Sequence, residues 1–276
     1  MPRAWALNLD AELELEAWPR AYMPSEAIRA RTIAIARTIA LPSGDRVIDP
    51  LDEDRAGCDR GRAWCPTPRA IVSLGDLPIE GIPIEVLRRV NERGFAHALS
   101  EGELPGAIRA TSIAEIDAQL ARGGEWLLKR AFGVAGRGQR PVRGPLSPDD
   151  RMWIAASLRR DALYVEPRVE IVRELSVHGW ATERAHVRSI REQTLRDRAW
   201  IASAPARDLD PATERALIDR AEQVASALIA TGYRGPFGID AFEWRTSTGA
   251  RALRTLSEIN ARYCMGWDDR DLWDPP

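Results

Sequence analysis

The segments that most constrain this chain are its closing pair, PFGIDAFEW (236–244) and RALRTLSEINARY (251–263). Each alternates apolar and polar residues, and a turn near Thr248–Gly249 separates them, so they read as two antiparallel strands. Side chains alternate faces along a strand. Glu258, Asn260 and Arg262 therefore share one face, while Ser257, Ile259 and Ala261 point the other way, toward a core. Across the hairpin Asp240, an acid within an otherwise apolar strand, comes beside Glu258 and Asn260. Two carboxylates so placed repel each other, and a divalent cation relieves the repulsion. Hard oxygen donors of this kind suit Mg²⁺, which takes one or two carboxylates plus waters and phosphates. Taken alone, the row is equally well explained as a solvated sheet face.

The remaining bounds come from length, charge and composition. The chain has 276 residues, 45% hydrophobic and 29% charged, an ordinary globular balance with room for one large domain or two to three small ones. A net charge of −2 offers no basic field for nucleic acid. No run reaches the ~18–20 apolar residues of a membrane span. Pro2 and Arg3 open the chain and acids interrupt its first apolar stretch, which does not read as a signal peptide. Three cysteines, an odd number, argue against a disulfide framework and for a reducing, cytoplasmic setting. Cys58 and Cys65 have no histidine nearby, so they read as free or structural thiols rather than zinc ligands.

The order of elements predicts α/β followed by α+β architecture. AWALNL (4–9) and RAIVSLG (69–75) read as strands and IPIEVLRRVNERG as a helix stopped by Gly94, giving a small parallel-sheet domain over 1–105. A second unit over 106–170 opens with a helix carrying the capping pair Ser112 and Glu115. It continues with strand EWLLKRA, the turn GVAGRG, a return strand QRPV, a helix capped by Ser147–Pro148, and a strand broken at Pro167. Over 171–276, β-rich sequence precedes a long helix that begins at Asp210–Pro211, ends at Gly232 and leads into the closing hairpin.

One residue stands out. Lys129 is the only lysine among 39 basic side chains. It lies on the strand before GVAGRG, a turn whose backbone N–H groups can cover phosphates but whose glycines are also common in plain hairpins. Lysine is a compact point charge where arginine is a wide fork, so the two are not interchangeable. Glu166 sits where Pro167 breaks strand pairing and frees backbone groups, and Glu174 follows; singly, both read as ordinary exposed acids. His178 and His186 read as core or surface residues. Arg188, Arg191 and Arg196 could hold a carboxylate or simply form a solvated strand face.

In this order, VEPRVEIVREL, GYRGPFGID and SEINAR resemble the ATP-grasp superfamily of carboxylate–amine ligases, most clearly over residues 106–267. The resemblance implies an ATP-grasp fold behind an N-terminal parallel-sheet domain, with ATP and Mg²⁺ as cofactors. It implies that Lys129 contacts ATP phosphates beneath a loop containing Gly133, Gly136 and Gly138. Glu166 would stand at the hinge, with the backbone of Pro167 to Val169 reading the adenine edge and Glu174 taking the ribose. Asp240, Glu258 and Asn260 would be the metal ligands, and Arg262 the catalytic arginine beside Lys129. The earlier lysine usual in the family is absent, and Arg93 is taken as its replacement. The implied activity is ADP-forming amide or peptide bond formation from small-molecule carboxylate and amine substrates, with neither nucleic acid nor membrane as partner and a homodimer compatible with it. An ATP-grasp small-molecule kinase and a regulatory nucleotide-binding protein are the competing readings.

Overall fold

A computed structural model describes residues 2–100, 102–133, 136–196, 199–267 and 273–276. Chain order begins with β1 (Arg3–Ala6), α1 (Ala11–Ala17), α2 (Glu26–Ala36), β2 (Arg46–Asp49), β3 (Arg60–Ala63) and α3 (Pro68–Leu74). Strand β1 is buried throughout and pairs in parallel with both neighbours, in the order β2-β1-β3. The expected parallel sheet is therefore present, but two of its expected strands change. The first ends at Ala6, because a Leu9-to-Leu7 backbone bond turns the chain into α1. The segment Arg69–Gly75, expected as a strand, is helix α3. Extended Thr67 precedes Pro68 at the first helical position, where a missing N–H costs nothing. Ala70 and Leu74, four apart, are buried while Val72 between them is 80% exposed, a helical rather than an alternating period.

The expected helix over IPIEVLRRVNERG is α4 (Ile84–Asn91), which ends at extended Glu92; Gly94, expected to stop it, instead lies within a second helix, α5 (Arg93–Leu99). The second sheet is built from β4 (Ile108–Ala110), β5 (Glu125–Arg130), β6 (Gln139–Arg143) and β7 (Leu163–Pro167). Its order is β4-β7-β5-β6, all antiparallel. Helices α6 (Ile113–Leu120) and α7 (Pro148–Leu158) cover it, each opened by a two-way capping box, Ser112 with Glu115 and Ser147 with Asp150. Ile116, Leu128, Ile154 and Leu163 form its own core.

The third sheet holds β8 (Glu170–Ala181), β9 (Ala185–Arg196), β10 (Ala199–Pro205), β11 (Gly235–Arg245) and β12 (Arg251–Asn260), with α8 (Pro211–Ala230) between β10 and β11. Its order is β10-β9-β8-β11-β12, antiparallel throughout. Leu217, Ala221, Val224 and Leu228 recur at helical spacing along α8 and are fully buried in the main core with Val177, Ile239 and Leu256 of the sheet. That packing covers one face of the sheet and leaves the other free to line a cleft. An aromatic cluster of Trp5, Trp64, Trp180, Tyr263, Trp267 and Trp273 joins the first sheet to the third. Among the described residues no helix is long and apolar enough to cross a membrane.

Candidate active site

The free face of the third sheet, strand β5 with the glycine turn, and helices α1 and α2 enclose a cleft of about 370 Å³. Its floor is the closing hairpin. Asp240 is the register partner of Glu258, and Gly238 of Asn260, so the row expected from the alternation lies across two adjacent strands. Asp240 accepts hydrogen bonds from Asn260 Nδ2 at 3.1 Å and Gln193 Nε2 at 3.0 Å. Glu258 Oε1 accepts from Arg93 Nη2 at 3.2 Å, and Arg93 Nε donates to the Arg130 carbonyl at 3.2 Å. Arg93 is thus held inside the site by β5 and β12 together.

Arg262 donates through Nη2 to Asn260 Oδ1 at 2.9 Å and through Nε to Glu12 Oε1 at 2.7 Å. Burial opposes its charge, but Glu12 raises the guanidinium above its ordinary value, so Arg262 is a fixed cation. The carboxylates are less well compensated. Burial, with Glu258 beside it, pushes Asp240 up to about 6. Burial, with Asp240 beside it, pushes Glu174 up to about 7. These are the signatures of anionic groups short of positive charge.

Lys129 lines the cleft from β5. Its Nζ lies 2.6 Å from Glu166 Oε2, and the other oxygen, Oε1, accepts from Arg254 Nη2 at 3.0 Å. All three side chains are less than 10% exposed. Burial opposes the Glu166 charge, yet Lys129 and Arg254 hold its carboxyl well below the usual range. Burial draws the Lys129 ammonium down, and Glu166 opposes that. Of the glycines, Gly133 and Gly136 line the cleft. A Cβ on Gly133 would lie 2.5 Å from the Arg137 carbonyl oxygen, so the turn closes on itself only with glycine there. Gly136 and Gly138 have φ of 77° and 75°.

The expected site residues divide. Arg93, Lys129, Gly133, Gly136, Glu174, Asp240, Glu258, Asn260 and Arg262 come together on one cleft. Glu166, Pro167 and Val169 are not among its lining: Glu166 is turned to Lys129 and Arg254, Pro167 pairs with Trp126 in the second sheet, and Val169 lies between β7 and β8. Of the three arginines on β9, Arg188 and Arg196 are exposed and Arg191 is buried; none lines the cleft. His178 is buried and stacks on Trp267 with centroids 5.1 Å apart. Burial and Arg191 lower it to about 3, so it is a neutral packing residue. Sequence reasoning missed Glu12, Gln193 and Arg254. Only Gln193 had a usable signal, since a β8–β9 hairpin sets it opposite Glu174.

No family model matches this sequence, and no curated protein matches it. Solved structures do. What they define is the ATP-grasp fold. D-alanyl-alanine synthetase A from Vibrio cholerae is 15% identical, with a TM-score of 0.57 over 95% of this chain and 88% of that one. N5-carboxyaminoimidazole ribonucleotide synthetase from Thermus thermophilus is 20% identical, with a TM-score of 0.53 over 95% and 71%. N5-carboxyaminoimidazole synthetase from Staphylococcus aureus, solved with ADP, is 15% identical, with a TM-score of 0.51 over 94% and 70%. At such identities the likeness is one of fold.

Proposed function

We propose that this chain is an ATP- and Mg²⁺-dependent ligase that activates a substrate carboxylate as an acyl phosphate and joins it to an amine. One observation carries the reading: the Asp240–Glu258 pair faces Lys129, Arg93 and Arg262 across a single cleft, on a fold shared with ligases solved with ADP. ATP phosphates and a carboxylate meet only where their charge is neutralised, and this cleft gathers the residues for that.

Asp240, Glu258 and Asn260 would hold Mg²⁺. Among the described residues no three His, Cys, Asp or Glu side chains gather at one point. The set is instead two carboxylates and an amide, which suits an ion that keeps waters and phosphates as its other ligands. The raised Asp240 carboxyl supports the fit. Bound there, the ion would supply charge neutralisation at the phosphates. Lys129 and the N–H groups of the glycine turn would grip the phosphates, Arg93 would stand in for a second cation, and Glu174 would accept from ribose hydroxyls. Arg262, fixed by Glu12, would orient the reacting carboxylate.

The test is ADP release from ATP with pairs of amino acids, with and without Mg²⁺, beside calorimetric titration with ATP and Mg²⁺. Ligation predicts ADP release that needs both substrates and the metal. A protein that binds neither ATP nor Mg²⁺ is not this ligase. Full activity in Lys129→Arg would remove the phosphate role given to the one lysine.

A further inference from the structure

Toward helix α2 the cleft changes character. Helix α2 turns Ile28, Arg31 and Ile35 toward it, three and four residues apart and so on one helical face. Leu13 of α1, Trp64 after β3 and Met265 after β12 complete an apolar wall around that one cation. Three other cations around this wall are already engaged. Arg29 pairs with Asp52, Arg69 with Asp10 and Glu14, and Arg262 with Glu12. Asp10, which also lines the cleft, is taken by Arg69 and the Tyr22 hydroxyl. Arg31 makes no hydrogen bond or ion pair with any described residue, and its side chain is exposed to the cleft.

An unneutralised guanidinium set in an apolar wall fits a ligand that carries an anion on an apolar body. Resting on the ligase reading, two carboxylates must be told apart. The reacting one belongs beside Arg262, next to the Asn260 row, and the one paired with Arg31 is left unreacted. We infer that this wall receives the amine-bearing substrate, an α-amino acid or short peptide with an apolar side chain, and that Arg31 pairs with its free carboxylate. The guanidinium fork matches a carboxylate through two parallel N–H···O bonds, which fixes the amine's direction toward the reacting centre. Ile28, Ile35, Leu13 and Trp64 select the side chain by excluding polar ones, whose groups would be buried without partners.

The experiment is calorimetric titration of the whole chain with leucine, phenylalanine and dileucine, each as free acid and as carboxamide, with and without a non-hydrolysable ATP analogue and Mg²⁺. Wild type is expected to bind each acid at least tenfold more tightly than its amide. Arg31→Ala is expected to lose about tenfold to a hundredfold for the acids, the range of one charge-assisted contact, and to bind acid and amide alike. Arg31→Lys should recover part of the preference. In turnover, Arg31→Ala should raise KM for the amine while KM for ATP holds. Equal binding of acid and amide by wild type, unchanged binding by Arg31→Ala, or no binding of any of the apolar probes overturns the inference. The two readings fail separately. ATP analogue binding without an acid preference sinks this inference alone. Acid-selective binding without ATP or Mg²⁺ binding sinks the ligase reading and leaves Arg31 as a carboxylate site.

Discussion

Replacing Glu166 by glutamine removes one charge and leaves two others stranded. In the wild type both carboxylate oxygens are engaged, one 2.6 Å from Lys129 Nζ and one 3.0 Å from Arg254 Nη2, and Glu166 itself is 5% exposed. Glu166→Gln keeps the shape but leaves an ammonium and a guanidinium buried side by side without a counter-charge. Breaking a buried pair from one side costs about 3–5 kcal/mol. At about 2–4 °C per kcal/mol for a chain of this order, the unfolding midpoint should fall by about 6–20 °C. Urea unfolding at pH 7 and thermal scans measure this, and 0.5 M salt should change the difference little because water does not reach the pair. The sign with pH is fixed. A carboxyl held below its ordinary 4.5 stabilises the fold above that pH and loses the contribution as the pH falls through its folded value. The gap between wild type and Glu166→Gln should therefore close in acid. Adding Lys129→Met to Glu166→Gln removes one stranded charge, so the double variant should be more stable than the sum of the singles by more than about 1 kcal/mol. Glu166→Gln unfolding within about 0.5 kcal/mol of wild type at pH 7 would refute the reasoning.

Three further outcomes follow from the Asp240–Glu258 row and the turn. Asp240 has a folded pKa of about 6 against an ordinary 3.8, so its ionisation destabilises the metal-free fold above that range. Asp240→Asn should be the more stable protein at pH 8 without Mg²⁺, by up to about 3 kcal/mol, with the difference gone near pH 4; denaturant titrations at the two pH values decide it. On the proposed function Mg²⁺ has to displace the same proton, so its affinity should rise about tenfold per pH unit below 6 and level off above about 7, where Glu174 is also ionised; a calorimetric profile flat from pH 5 to 7 would contradict this. Gly133→Ala forces a Cβ to within 2.5 Å of the Arg137 carbonyl, so the turn must open. Its KM for ATP should rise about tenfold or more while its unfolding midpoint stays near wild type, since the turn lies outside the cores.

How much of this was legible depended on whether the partners were close in sequence. The closing hairpin was readable from its alternation and its short turn, but the pairing of Asp240 with Glu258 depends on a register shift between Asp240 and Phe242 that no local signal marks. Helix α8 was readable from its cap and its 3.6-residue stripe. RAIVSLG was misread because seven mostly apolar residues carry both periods, and the deciding signal was the Thr67–Pro68 step before them. Glu12 was invisible as a site residue, since its partner Arg262 lies 250 residues away and nothing local marks one acid in AELELEA from the next. Arg254 failed for the same reason among 38 arginines, whereas a lone lysine drew attention to its own position. Glu166 stands out for Pro167 beside it, yet Pro167 stays paired with Trp126, and what the Glu166 carboxylate does is set by Lys129 and Arg254 from two other strands.

The way the three sheets are joined divides the molecule mechanically. Interlocked rings, Trp5 on Tyr263 at 5.1 Å and Tyr263 on Trp180 at 5.8 Å, and the Glu12–Arg262 bond weld the first and third sheets into a chassis. The second sheet keeps a core of its own, while Tyr164 of β7 packs into the main core, and it carries Lys129 and the glycine turn. Arg254 reaches from β12 to Glu166 on β7, and Arg93 joins β5 to β12, so two buried cations tie the second sheet to the third. Arg254 shares its one carboxylate with Lys129. Lys129 and this tie between the sheets therefore depend on the same buried carboxylate.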